Sequence, residues 1–203
     1  MAELECFFDC SSPWTYFAFE SLLRMQDEIG VTIRWRPFLV GGVFNAVNPS
    51  VYNSRDTPVP AKSAYGKKDQ QDWASYLGLP IRYRPTVFPV NSVKAMRACI
   101  VLEPEDGLVP FAREAFKAYW IDDQDISQIP VLTNLCHKLH IDPERLLFAI
   151  EQPSVKDALR ANTQEAIDRG SFGSPTIFVG GDDMYFGNDR MPLIKDAVLR
   201  RRQ

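Results

Sequence analysis

The sequence predicts an α/β fold in which two mixed strand–helix halves frame an inserted all-helical domain. Three observations carry that prediction. An apolar run from Leu4 to Phe8 passes directly into a helix that opens on Ser12-Pro13. Near the other end, a helical stretch stops at Gly170 and an apolar strand follows from Ser174-Pro175. Between about 63 and 150 only helical periodicity is visible. The chain has 203 residues, 45% hydrophobic and 24% charged, which leaves room for one globular domain carrying an insertion.

Each element follows from local chemistry. Leu4 to Phe8 is a short, aromatic-rich run of the kind that forms a buried strand. Ser12 fits an N-cap, and Pro13 fits the first helical position, where its missing N–H costs nothing. Tyr16, Phe17, Phe19, Leu22, Leu23, Met25 and Ile29 then recur at helical spacing up to the stop at Gly30. Val31 to Phe38 alternates as a second strand, and a strand–helix–strand unit of this length pairs its strands in parallel. Residues 43 to 63 are rich in Asn, Pro and Ser and read as a long loop. Helices are expected at Ala64–Leu77, Asn91 or Ser92 to Leu102, Pro110–Trp120, Ile129–Leu139 and Pro143–Ile150, with an irregular Pro-rich connection over Arg82–Pro89. The last segment reads as a helix at Val155–Arg169, a strand at Ser174–Val179, a turn at Gly180-Gly181-Asp182-Asp183, a strand at Met184–Phe186 and a helix at Met191–Arg201. The expected division is 1–62 with 155–203 as one domain and 63–154 as the helical insert.

Composition narrows the function. A net charge of −3 argues against a nucleic-acid partner, and the one dense basic run, Arg200-Arg201-Arg202, fits a solvated helix end. No apolar run reaches membrane-spanning length. The acidic start Met1-Ala2-Glu3-Leu4-Glu5 lacks the pattern of a secretion signal, so a cytoplasmic location is expected. The cysteines Cys6, Cys10, Cys99 and Cys136 form no C-x-x-C pair, and the two histidines, His137 and His140, offer few ligands, so no metal site is expected.

Chemistry converges on three segments. A group at a helix N-terminus faces unpaired N–H donors and the positive end of the dipole, which favours an anion. A cysteine there would be a redox nucleophile. Ser12 stays protonated at neutral pH but can donate a hydrogen bond to a thiolate supplied by another molecule, and glutathione is the obvious donor in a reducing compartment. Ser12 also fits a plain helix cap. Ser174-Pro175 leads into a strand where thioredoxin-like folds carry a cis proline, a place where an extended peptide can pair with backbone. Gly187-Asn188-Asp189-Arg190 sets an acceptor beside a cation at a helix start, a pairing suited to an amino-acid headgroup and equally to a cap with a surface arginine.

Together these residues resemble the 2-hydroxychromene-2-carboxylate isomerase family, which is similar to the kappa-class glutathione transferases and, more distantly, to the periplasmic disulfide oxidoreductases. The resemblance covers essentially the whole chain. It rests on Phe8-Asp9-Cys10-Ser11-Ser12-Pro13-Trp14-Thr15-Tyr16, on Gly173-Ser174-Pro175-Thr176-Ile177-Phe178 and on Tyr185-Phe186-Gly187-Asn188-Asp189-Arg190. It implies a thioredoxin-like fold. Ser12 and Thr15 then stand where the oxidoreductases carry the two cysteines of C-P-x-C, and Cys10-Ser11 replaces the family's more usual aromatic–leucine pair. The resemblance further implies that Ser12 is the catalytic serine contacting the glutathione sulfur, that Ser174 and Pro175 hold the glutathione backbone, and that Asn188, Asp189 and Arg190 hold its γ-glutamyl end. Asn53 and Lys62 fall where the family places further glutathione-binding groups, and Trp14, Phe38, Tyr65 and Phe88 are candidates for the wall of an aromatic substrate pocket. The implied activity is a glutathione-dependent isomerisation between 2-hydroxychromene-2-carboxylate and trans-o-hydroxybenzylidenepyruvate, or of a related aromatic catabolite, in a homodimer. A kappa-like transferase, a thiol-disulfide oxidoreductase and a non-enzymatic peptide-binding module are the competing readings.

Overall fold

The computed structural model describes residues 3–203, so Met1 and Ala2 of the acidic start lie outside the described residues. Strand β1 (Leu4–Phe8) pairs in parallel with β2 (Ile33–Pro37), and helix α1 (Pro13–Ile29) makes the crossover between them. On its other side β1 pairs antiparallel with β3 (Thr176–Val179), which pairs antiparallel with β4 (Asp183–Phe186). The sheet order is therefore β2-β1-β3-β4.

Strand periodicity explains why β1 is apolar on both faces. Alternate residues point to opposite sides, so Leu4, Cys6 and Phe8 enter one core while Phe7 enters another. The larger core joins the sheet to the helical insert. Phe19 of α1 lies 4.4 Å from the Trp35 ring, 5.8 Å from Phe8 and 5.3 Å from Phe116, so one aromatic cluster ties helix, sheet and insert together. The smaller core holds Phe7 edge-on to Phe38 and Phe178.

On the Phe7 side, Glu5 meets a second kind of packing. Arg36 of β2 is buried, lies over the Phe7 ring, and bonds Glu5, Glu165 and Asn162. Arg169 reaches the same two carboxylates at 3.2 and 3.0 Å and stacks on Phe178 at 3.7 Å. Burial works against the Glu165 carboxylate, but the two guanidiniums outweigh it and leave its pKa below the ordinary value.

The long loop expected over 43–63 is instead helical. Helix α2 (Val40–Val47) and α3 (Ser50–Asp56) occupy it, and α4 (Pro60–Leu77) begins before its end. Weak helix formers are overridden here by burial: Val40 and Val43 join the smaller core. The prolines begin helices rather than break them, Pro49 preceding α3 and Pro60 opening α4. Gly42 lets α2 approach α9 (Pro153–Asp168), since a Cβ there would meet the Thr163 methyl at 3.0 Å.

The insert continues with α5 (Val93–Leu102), α6 (Leu108–Trp120), α7 (Ile129–Lys138) and α8 (Pro143–Ala149), and α10 (Met191–Arg201) closes the chain. Helix α5 packs on α6, α8, α9 and β2, and α4 packs on α1. The boundaries expected at 62/63 and 154/155 both fall inside helices, α4 and α9.

Candidate active site

The turn between β1 and α1 is assembled from hydroxyl groups. Ser12 caps α1 in an extended conformation, its oxygen accepting from the Thr15 amide at 3.2 Å. Its own hydroxyl donates to the Ser174 carbonyl at 3.0 Å. The Thr15 and Ser174 hydroxyls lie 2.7 Å apart, and the Asp9 amide donates to the Ser174 oxygen at 3.2 Å. The serine before the cis Ser174–Pro175 bond therefore holds both hydroxyl positions of the turn from across the sheet. Pro13 has no amide, the Thr15 amide is taken by Ser12 Oγ, and the Tyr16 amide donates to the Ser12 carbonyl at 3.2 Å. The Trp14 amide is the remaining first-turn donor, without an acceptor among the described residues.

Asp9 was quoted in the motif above without a role, and it proves to be a hub. It is buried, and its two oxygens accept from the Ser11 amide at 2.9 Å and the Val40 amide at 3.0 Å. Val40 opens α2, whose cap position, Leu39, offers no side-chain bond, so Asp9 caps α2 from another element. Burial pushes the Asp9 carboxyl above its ordinary range, with the two amides pulling the other way. An acidic residue directly after the aromatic end of β1 was the available signal for this. The Cys10 carbonyl next in chain is closed off by Trp120 Nε1 at 2.9 Å, a bond that no local pattern foretold.

Cys10 itself is a core residue. Its side chain is fully buried, and burial together with the neighbouring Cys99 pushes the thiol well above its ordinary value. It is not an accessible nucleophile. Cys6, Cys99 and Cys136 are likewise free and buried.

The hydroxyl cluster opens onto a cavity of about 590 Å³. Ser12, Pro13, Trp14 and Ser174 line it together with Phe172, Gly173 and Phe186, with Phe44 of α2 and with Tyr52 and Arg55 of α3. Phe88 and Ser92 close it from the insert, so it is bounded by both halves of the chain. Trp14 and Phe88, two of the four candidates for a pocket wall, line this cavity.

Other expected residues are elsewhere. Phe38 is fully buried in the smaller core against Phe7, because strand alternation turns it away from the cavity. Tyr65 is 64% exposed on α4 and lines no part of the cavity. Asn53 and Lys62 are exposed and also outside its lining, since the helices α3 and α4 that replace the loop turn them to solvent. Their neighbours Tyr52 and Arg55 face inward instead. The Gly187 amide donates to the Pro175 carbonyl at 3.3 Å, which ties the segment Gly187–Arg190 to the cis proline. Asn188 is buried with its Nδ2 unpartnered, while Asp189 and Arg190 are exposed and paired to each other at 3.4 Å. None of these four residues, nor Pro175, lines the cavity.

Comparison with known proteins gives a matching picture. The family profile described as a DSBA-like thioredoxin domain matches residues 3–199. The chain is 29% identical to a 2-hydroxychromene-2-carboxylate isomerase of Pseudomonas putida, covering 97% of this chain and 94% of that one. It is 28% identical to glutathione S-transferase kappa 2 of Caenorhabditis elegans, covering 95% and 89%. A solved 2-hydroxychromene-2-carboxylate isomerase structure superposes with a TM-score of 0.85 at 26% identity, over 98% of this chain and 95% of that one.

Proposed function

The chain belongs to the DSBA-like thioredoxin domain family, and from that premise we propose that it is a glutathione-dependent isomerase acting on a small aromatic substrate of the 2-hydroxychromene-2-carboxylate type. One observation carries the reading. Ser12 and Thr15, which the resemblance sets at the two cysteine positions of a dithiol turn, are both tied to Ser174 by hydroxyl hydrogen bonds. The one thiol of the turn, Cys10, is buried and out of reach, so on this reading the sulfur chemistry comes from a bound molecule. Relatives named as isomerases and as kappa transferases match at similar identity, which supports an enzyme of this glutathione-related kind.

The residues present fit such a molecule. The cavity has the volume for a tripeptide, and it meets the Ser174 backbone and the first turn of α1. Glutathione, when bound, supplies a thiolate that adds to a conjugated carbon and leaves again, so that a double-bond rotation becomes a single-bond rotation with no net consumption. The protein's part is hydrogen-bond exchange. The Ser12 hydroxyl has one proton, now given to the Ser174 carbonyl. A peptide N–H that takes that carbonyl frees the Ser12 proton to point at the sulfur. The Trp14 amide and the dipole of α1 favour the anion at the same place. Thr15 holds Ser174, and Asp9 holds the turn against α2. Asp189 and Arg190 are proposed to take the γ-glutamyl end, supported by the bond from Gly187 to Pro175. On this reading 1–62 and 155–203 form the glutathione-binding domain, 63–154 the insert, and the enzyme works as a cytoplasmic homodimer.

Calorimetry with glutathione tests the proposal directly. Wild-type protein should bind it, and Ser12→Ala should lower turnover by about a hundredfold, the size of one oxyanion-type donor. Unchanged turnover in Ser12→Ala removes the reading. A kappa-like transferase shares the site, and chloronitrobenzene separates the two: a stable adduct with loss of free glutathione supports the transferase. A thiol-disulfide oxidoreductase lacks support, because no accessible thiol stands in the turn.

A further inference from the structure

Beside the main cavity lies a smaller one of about 260 Å³, which shares Pro13, Arg55 and Phe88 with it. The charged residues in its lining are both arginines, Arg55 and Arg84, and no carboxylate faces them there. Neighbouring Arg82 shows the contrast, since Asp123 engages it at 3.4 Å. Both lining guanidiniums lie over one ring, that of Phe88, at 5.6 Å for Arg55 and 5.3 Å for Arg84. Two cations held within 6 Å of one ring centroid repel each other, and an anion near both relieves the repulsion.

A second observation is independent of charge. Gln70 of α4 lines the same annex, is 5% exposed, and its Nε2 donates to nothing among the described residues. A buried amide left without an acceptor is rare, and an oxygen ligand in the annex would satisfy it. Phe88 and Trp120 add flat apolar walls, and Pro13 connects the annex to the turn that carries Ser12.

We propose that this annex selects the second substrate by its carboxylate: Arg55 and Arg84 hold the two oxygens, Gln70 donates to one of them, and the conjugated part of a planar acid lies along Phe88 towards Ser12. The assignment rests on the glutathione reading for the thiol side, and it makes Arg84 a specificity-determining residue outside the lining of the glutathione cavity. Neutral electrophiles of the same shape lose the arginine contacts and are discriminated against.

The test compares trans-cinnamate with its neutral isostere trans-cinnamamide by calorimetry on the full chain, with and without glutathione. Wild-type protein should prefer the acid by about tenfold or more, the worth of a charge-assisted hydrogen bond. Arg84→Gly should abolish most of that preference while leaving glutathione affinity unchanged. Arg84 has a φ of 57°, where glycine is at ease, so the variant keeps its fold. Arg84→Lys should keep part of the preference. Equal affinity for acid and amide, or an acid preference intact in Arg84→Gly, overturns the proposal. If glutathione fails to bind while the Arg84-dependent preference persists, the annex stands and the glutathione reading falls; the reverse pattern sinks the annex alone.

Discussion

At the scale of single residues, the site is a set of oxygens gathered on Ser174. Ser12 and Thr15 both direct their hydroxyls at Ser174. Replacing both, as Ser12→Cys with Thr15→Cys, should install disulfide-reducing activity, with the outer thiol acidified below about 8.5 by the start of α1; an insulin-reduction assay that stays at background contradicts that view of the turn. Trp120 is the matching structural residue. Trp120→Phe leaves the buried Cys10 carbonyl without its donor and should cost about 1–3 kcal/mol in urea denaturation. Residues bound to local motifs were legible in the sequence: Ser12 from its helix start, and Ser174 from its Ser-Pro step. Asp9 and Trp120 were not, because their partners lie on other elements, Val40 thirty-one residues away and Cys10 a hundred and ten.

At the scale of elements, periodicity carried the strands and most of the helices, and failed where tertiary burial decides. Residues 43–63 look like a loop by composition, yet α2 forms because Val40 and Val43 have a core to enter and Asp9 supplies a cap, and α3 follows it directly. That error displaced the site residues drawn from the segment: Asn53 and Lys62 face solvent, while Tyr52 and Arg55 face the cavity. Phe38 failed for the opposite reason, since its strand alternation was clear but the face it serves was not. The bond network of β1, β2 and α9 gives a sharp prediction. Arg36→Ala leaves Glu165 to Arg169, and Glu5 to Arg169 and the exposed Arg34 at 3.6 Å, and should destabilise the fold by about 3 kcal/mol in denaturant melts. A loss below about 0.5 kcal/mol would mean that the buried guanidinium contributes nothing net.

At the scale of the whole molecule, the helical insert is fastened to the sheet by the aromatic cluster around Phe19, and the chain ends are fastened to each other. Arg202 bonds Glu3 and also the carbonyls of Ile29 and Gly30, closing α1 from the far terminus. The Arg202 hydrogen bond pulls the Glu3 carboxyl down to about 2 from its ordinary 4.5. A depressed carboxyl contributes stability above the unfolded value, so this contribution is whole above about pH 4.5 and fades towards pH 2. Glu3→Gln should therefore be less stable than wild type at neutral pH, with the gap closing as pH falls through that window; a gap that stays constant with pH contradicts the pairing. The two-half architecture with its insert was legible because helices and strands segregate along the chain. The cavity between the halves was not, because it is made by docking them.

The most direct measurement is the ionisation of glutathione on the protein, followed by thiolate absorbance near 240 nm against pH. A serine proton and a helix start aimed at the sulfur should bring its pKa at least one unit below the free value of about 8.5, and Ser12→Ala should return most of that shift. A bound thiol that titrates like the free tripeptide, in wild type and Ser12→Ala alike, contradicts the account at its centre.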